Sequence, residues 1–251
     1  MLLANLCQQS HSSLELPKGL ELMLSITLTT FIAVFAALFP VINPLGDGPI
    51  FLNMVQGCSE AVRRKLARSV SINCFFMLVA SMLIGPQLLL FFGISLSALK
   101  LAGGAVVIAM GWNLLNQKSK SANSTSESIG ITDETSDSSA FFPLTMPLTV
   151  GPGSIATAIA LVAGHQDEKS LSITNELPAV VGTILALFAL SLSIYFIYRE
   201  SSGIQRIFGV NGTNVLMRLF AFILLAIGVQ IFLGGISGYA LDLNKLLPVH
   251  H

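Results

Sequence analysis

Charge is scarce in this chain: of 251 residues, 13 are Lys or Arg and 13 are Asp or Glu, which is 10% of the sequence and sums to a formal net charge of zero. A soluble domain carries about 25% charged residues to keep its surface wet. A chain this poor in charge, 53% hydrophobic with a mean hydropathy of +0.77, belongs in a membrane. The absence of a basic field, and of basic residues interleaved with aromatics, excludes nucleic acid as a partner. Cysteine is also sparse. Cys7, Cys58 and Cys74 are odd in number and have no metal-ligand spacing with a nearby histidine, which excludes a disulfide framework and a zinc site. Cys7 follows Leu6 without preceding basic residues or an apolar stretch of signal length, so no lipid-attachment site is read there. Of the four histidines, His11 and His165 fall in polar segments and His250 and His251 end the sequence, so none reads as a buried catalytic base. There is no nucleotide-binding motif, no His-x-x-x-His, no Gly-x-Ser-x-Gly and no second carboxylate within an apolar stretch. An ATP-driven pump and an intramembrane enzyme are therefore set aside, and no catalytic residue, metal or cofactor is expected.

What the chain has instead is long apolar runs. About 20 residues cross roughly 30 Å of hydrocarbon at about 1.5 Å per residue. Six stretches qualify: Leu24 to Ile42, Val70 to Phe92, Leu96 to Leu115, Ala140 to Ala163, Leu177 to Tyr198 and Val215 to Ile236. The third holds only Lys100 and the sixth only Arg218, each near its start, where a long cationic side chain snorkels to the interface. A Ser- and Thr-rich stretch that cannot bury a core separates the third span from the fourth. The expected organisation is a polar tail over 1–22, a three-helix unit over 23–115, a flexible linker over 116–139, a second three-helix unit over 140–236 and a tail over 237–251. With six crossings, nine of the 13 basic residues, Arg63, Arg64, Lys65 and Arg68 among them, fall on one face and four on the other. The basic bias predicts the first face in the cytoplasm and both termini outside.

Six of the ten prolines form two copies of one pattern, 103 residues apart: Phe39-Pro40, Pro44-Leu45, Gly48-Pro49 and Phe142-Pro143, Pro147-Leu148, Gly151-Pro152. Proline removes a backbone donor and collides with the preceding turn, so the first and fourth helices are expected to break at matching places. Asn-Pro, Leu-Gly and Asp-Gly are turn dipeptides, which puts unwound backbone around Asn43 to Gly48. Three spans per unit is odd, so the second copy enters from the opposite side. The predicted fold is an all-α polytopic membrane protein of two inverted three-helix repeats, whose interruptions face each other near the midplane. Phe92-Gly93-Ile94 and Phe208-Gly209-Val210 give a weaker echo of the same duplication.

Pro40-Val-Ile-Asn-Pro-Leu-Gly46, Phe92-Gly-Ile-Ser95, Lys100-Leu-Ala-Gly-Gly104, Pro147-Leu-Thr-Val-Gly-Pro-Gly-Ser-Ile-Ala-Thr157 and Gly228-Val-Gln230 occur in this order. In these stretches the chain resembles the MarC family, also described as the six-helix neutral amino acid transporter family, of bacterial and archaeal inner membranes. The resemblance covers about residues 24 to 236, and the polar N-terminal tail and Ser-rich linker depart from it. It implies uptake of small neutral amino acids such as glycine and alanine, coupled to protons.

A zwitterionic solute needs donors for its carboxylate and acceptors for its ammonium, and a broken helix supplies both from its backbone. Gly151, Pro152, Gly153 and Ser154 read as a half-helix N-terminus for the carboxylate, with Thr149 and Thr157 adding hydroxyls. On the other copy Asn43, Pro44, Gly46, Asp47 and Gly48 are the candidate contacts. Asn43 is equally suited to capping freed backbone, and Asp47 to a solvated turn. Threonines in membrane helices commonly bond their own helix carbonyls, and Asn73, Asn113 and Gln230 read as helix glue. The expectation is a secondary transporter of small polar solutes, with membrane lipid as its surroundings. Export of amino acids or drug-like solutes, and a non-transporting scaffold in which the breaks serve packing only, are the alternatives.

Overall fold

A computed structural model describes residues 18–116, 131–133, 135–163 and 173–246. Cys7, the four histidines, the first part of the expected linker and the tail that precedes residue 18 lie outside the described residues. Among the described residues every element is helical: α1 (Lys18–Ile42), α2 (Pro44–Met54), α3 (Glu60–Phe92), α4 (Leu96–Asn116), the single turn α5 (Ser136–Ser139), α6 (Ala140–Thr149), α7 (Pro152–Ala163), α8 (Ile173–Arg199) and α9 (Ser201–Leu246). Five helices are long and apolar enough to cross a bilayer, and α6 with α7 makes a sixth span bent by 68°. These are the six stretches read from hydropathy.

Helix ends differ from the hydropathic limits because capping, not hydropathy, sets them. The second span begins ten residues before Val70, at Glu60. Ser59 sits outside the helix with its Oγ accepting from the Val62 N–H at 3.4 Å, and Glu60 lies in the first turn where the helix dipole favours an anion. Arg64 pairs with Glu60 one turn on. The basic run is therefore helical. Its other end is closed by Gly93, whose φ of 66° carries the chain out of the helix while Ile94 N–H returns to Leu89 O at 2.9 Å. The echo at Phe208-Gly209-Val210 forms no such turn. Those residues lie inside α9, which runs unbroken for 46 residues from Ser201, so the helix begins well before the hydropathic limit at Val215.

The interior is apolar and so is the rim. Leu38, Phe51, Leu66, Leu78, Leu144, Leu187 and Ile194 are buried, whereas Phe76, Leu90, Phe91, Phe188 and Phe222 stand exposed on the outside, the inside-and-out hydrophobicity of a lipid-bathed bundle. α4 lies along α9, α1 along α8, and α3 crosses α8. Small residues set how closely these helices approach. A Cβ added at Gly104 would stand 2.6 Å from Phe232 N, at Gly111 2.8 Å from Leu225 N, and at Gly228 2.7 Å from Ile108 N. The α4 and α9 backbones are thus in contact on both sides of one seam.

The end of the polar stretch is built into the bundle. Ile131 is 1% exposed and joins the core beside Val55 and Cys58. Its carbonyl accepts from Cys58 Sγ at 3.1 Å, and Asp133 Oδ1 accepts from the Ser59 N–H at 3.0 Å. Burial, reinforced by Asp133 and opposed by Arg63, pushes the Cys58 thiol above its ordinary range.

Two outcomes follow from this packing. Gly228→Val overpacks the α4–α9 seam and should cost about 1 to 3 kcal/mol of stability. Gly234→Ala, at a glycine with open space around it, should be neutral or stabilising, and thermal melts in detergent compare the two. Because the thiolate is the reactive form, maleimide labelling of Cys58 followed by peptide mass spectrometry should be slow in the folded protein and several-fold faster in Ile131→Ala. Equal rates would mean that Ile131 does not cover the thiol.

Candidate functional site

Both interruptions occur at the residue before the second proline of each motif. Residues preceding proline are sterically pushed out of the right-handed helical region. Asn43 takes the left-handed conformation (φ 52°, ψ 51°), and Met146, 103 residues later, is extended (φ −120°, ψ 126°). The second copy is distorted over a longer stretch. Phe142 is also extended, the Phe142-Pro143 and Met146-Pro147 bonds are cis, and α6 is wound with wide π-type turns before the chain bends into α7.

At the first break, Asn43 is buried and caps α2. Its carbonyl accepts from the Gly46 and Asp47 N–H groups, both at 3.0 Å, and its Oδ1 accepts from the Gly46 N–H at 3.2 Å. The amide lies against the Gly46 α-carbon, where any side chain would collide with it. Pro44 opens the helix at its first position, where a missing N–H costs nothing, and Gly48 faces Ile197 of α8. Asp47, 8% exposed in the first turn of α2, accepts no hydrogen bond from any described residue, and Cys74 and Tyr198 lie within its electrostatic reach.

At the second break, hydroxyls fold back onto the chain. Thr145 Oγ1 donates to Ala140 O at 2.7 Å and Thr149 Oγ1 to Leu144 O at 2.8 Å, five residues back as wide turns require. Ser154 Oγ donates to Gly151 O at 2.9 Å and Thr157 Oγ1 to Gly153 O at 2.8 Å, so their protons are used locally and only their lone pairs remain. The space a side chain would take at Gly153 is filled by Val107 Cγ2, 2.6 Å from where a Cβ would stand, and Met110 approaches Gly151. Pro152 is exposed. Thr157 lines a groove of about 620 Å³ between α1, α4, α7 and α9, together with Ala36, Lys100, Gln230 and Ile231.

The two breaks meet through residues that carry no motif. Tyr198, 1% exposed at the end of α8, stacks on Phe51 of α2 with ring centroids 4.4 Å apart. Its hydroxyl and Thr149 Oγ1 are 2.8 Å apart. Since the Thr149 proton goes to Leu144 O, the tyrosine is the donor. Thr149 from the second copy thus bonds the tyrosine that lies within electrostatic reach of Asp47 from the first. On another side, Val41 packs with Val107, the residue that covers Gly153. Asn73 Nδ2 donates to Thr145 Oγ1 at 3.3 Å, tying α3 to α6 as helix glue. Tyr198 at the border of an apolar run has the sequence appearance of an interfacial anchor, and Cys74 has no sequence signal. Among the described residues no group of three or more His, Cys, Asp or Glu is placed to hold a metal. The arrangement offers one buried carboxylate in the first turn of α2, within electrostatic reach of Tyr198, which suits it to exchange a proton or a cation with a visiting solute.

Comparison with known proteins agrees with the residues that carry the resemblance. A family model described as "MarC family integral membrane protein" matches residues 28–240. UPF0056 membrane protein YvbG of Bacillus subtilis is 34% identical over 205 residues, 82% of this chain and 93% of the relative. A UPF0056 membrane protein of Archaeoglobus fulgidus is 32% identical over 84% of this chain and 93% of its own length. UPF0056 inner membrane protein MarC of Escherichia coli is 31% identical over 79% of this chain and 90% of its own. No solved structure is a significant match. With apolar helices enough for six crossings and a family match that runs from α1 into α9, the chain belongs to the MarC family of integral membrane proteins.

Proposed function

We propose that this protein is an inner-membrane secondary transporter that moves small neutral amino acids, or polar solutes of similar size, in exchange with or together with protons. The observation that carries the reading is Asp47: a buried carboxylate without a donor among the described residues, within electrostatic reach of the tyrosine that bonds Thr149 of the other interrupted helix. An ionised carboxylate costs about 2.5 to 3.5 kcal/mol at membrane depth, so an unpaired one favours either a proton or a solute ammonium. The relation between the halves supports alternating access. Each interrupted helix packs on the second helix of the other half, α1 and α2 on α8, α6 and α7 on α3, while the third helices pack on each other. An inverted repeat would produce this exchange of partners, and the basic bias orients it with both termini outside.

A second reading has its own observation. The hydroxyls of Ser154 and Thr157 are spent within α7 and the Gly153 position is filled by Val107, as a break serving packing alone would have it. A scaffold of that kind would lose assembly, not flux, on substitution.

Uptake of labelled glycine and alanine into proteoliposomes, with and without a pH gradient, tests the proposal. Gradient-driven accumulation is expected for the unaltered protein and should fall about tenfold or more in Asp47→Asn, the scale of one hydrogen bond to a charged group. Counterflow without a gradient should survive that change if Asp47 carries the proton, and should be lost if it binds the ammonium. Gly151→Ala, whose added methyl meets Met110 and the Pro147 carbonyl only at ordinary contact distance, should lower flux with the thermal melt retained. Failure of either solute to move under any gradient, in a folded protein, would end the amino-acid assignment. Tyr198→Phe removes the donor to Thr149 but keeps the stack on Phe51, and it should change the rate of counterflow more than its half-saturation.

A further inference from the structure

Away from the interrupted helices, a groove of about 480 Å³ runs between α3 and α8, lined by Arg68, Ser71, Phe75, Phe76, Ser191 and Tyr195. Its two ends are chemically different. Arg68 and Tyr195 stand toward the helix ends that carry Arg63, Arg64, Lys65 and Arg199, while Phe75, Phe76 and Phe188 stand about 10 to 12 Å deeper at about 1.5 Å per residue. The deep end is open to lipid, with Ile72, Phe76, Phe188 and Leu192 all exposed. Arg64 is held by Glu60 and Arg199 by Glu200, but Arg68 is exposed and has no carboxylate partner among the described residues.

A second, independent observation lies between the two ends. Ser191 is 6% exposed, and its buried hydroxyl has no hydrogen-bond partner among the described residues. Thr183 and Ser193 on the same helix donate to the carbonyls four residues back, at 2.9 and 2.8 Å. Ser191 does not, and its own carbonyl is already taken by Ser71 Oγ at 2.5 Å. Leaving a buried hydroxyl unmatched is unfavourable, and Ser191 is one of the residues that line the groove.

We propose that this groove is a binding site for an anionic phospholipid. The phosphodiester lies against the Arg68 guanidinium with Tyr195 as the interfacial wall, the Ser191 hydroxyl donates to an ester oxygen just below it, and an acyl chain covers Ile72, Phe76, Phe188 and Leu192. Arg68, without a carboxylate partner among the described residues and within six positions of three further basic residues, selects a net negative head group over a zwitterionic one. The apolar length of the groove selects a lipid over a free phosphate. The assignment is independent of what the protein transports.

The test uses the full chain in mild detergent, with bound lipid counted by native mass spectrometry and stability read by thermal melting. Phosphatidylglycerol should be retained and should raise the melting temperature, whereas phosphatidylcholine and glycerol 3-phosphate at equal concentration should not. Arg68→Gln should weaken phosphatidylglycerol retention roughly five- to tenfold, the effect of about one kcal/mol for a basic residue near the surface. Arg64→Gln, the same charge loss away from the groove, should weaken it less than twofold. Ile72→Trp fills the groove with charge unchanged and should also displace the lipid. Equal retention of phosphatidylcholine, equal stabilisation by glycerol 3-phosphate, or equal losses in Arg64→Gln and Arg68→Gln would each overturn the assignment. If Arg68→Gln does not fold, undiminished binding by Ile72→Trp overturns it alone.

Discussion

A backbone N–H or C=O facing hydrocarbon without a partner costs several kcal/mol, and this one constraint organises the molecule. It makes every described element a helix, and it means that a helix can open only where something else takes over the released groups. At the first motif a side chain does so: the Asn43 amide oxygen takes the Gly46 N–H, and glycine at 46 leaves room for it. At the second, hydroxyls do so, with Thr145, Thr149 and Ser154 each returning to a main-chain carbonyl of the distorted segment. The same proline pattern thus has two solutions, one local and sharp, the other spread over α6. Both lie against protein, since Asn43, Thr145 and Thr149 are buried.

Once the backbone is satisfied, apolar burial gives helices little reason to prefer one another over lipid, so contact must come from fit. The glycines of α4 and α9 supply it, allowing main chains to touch along one seam, and Gly182 of α8 does the same against the Thr27 carbonyl of α1. The polar contacts sit where the fit is least regular, around α6, in the Asn73 bond to Thr145 and the Tyr198 bond to Thr149. The lipid-facing groove between α3 and α8 is the converse case. There the fit stops short, and among the described residues the Ser191 hydroxyl has no hydrogen-bond partner and Arg68 no carboxylate partner.

Much of this was legible in the residues. The six apolar stretches match the five long helices and the bent pair, because hydropathy reports the medium directly. The breaks were legible because proline acts on its own backbone and on the residue before it. Helix ends were not: Ser59 and Glu60 start α3 ten residues outside the apolar run, a capping effect invisible to a hydropathy window. Nor was the continuity of α9 through Phe208-Gly209-Val210, where glycine permits a turn without requiring one. Ile131 was hidden in a polar stretch because one buried side chain does not change a composition. At the candidate site, Asp47 and Thr149 were read from the motifs, but Tyr198 and Cys74 were missed. They reach the site from other helices, and only the fold gives that adjacency.

Magnitudes suggest where a transport cycle of the proposed kind would move. The Tyr198 bond to Thr149 is worth about 0.5 to 1.5 kcal/mol net, and the stack on Phe51 a similar amount. Together they bias one arrangement by roughly ten- to a hundredfold, a preference that the differential binding of a small solute can reverse. The α4–α9 seam has no such weak point, since its glycines bring main chain against main chain over several turns and separating it would open a cavity along its length. Rearrangement in such a cycle would therefore be easiest where α6 and α8 meet, with the α4–α9 seam as the stationary part. Asp47 lies within electrostatic reach of that tyrosine, so a change in the latch and a change in the charge state of the carboxylate would be coupled.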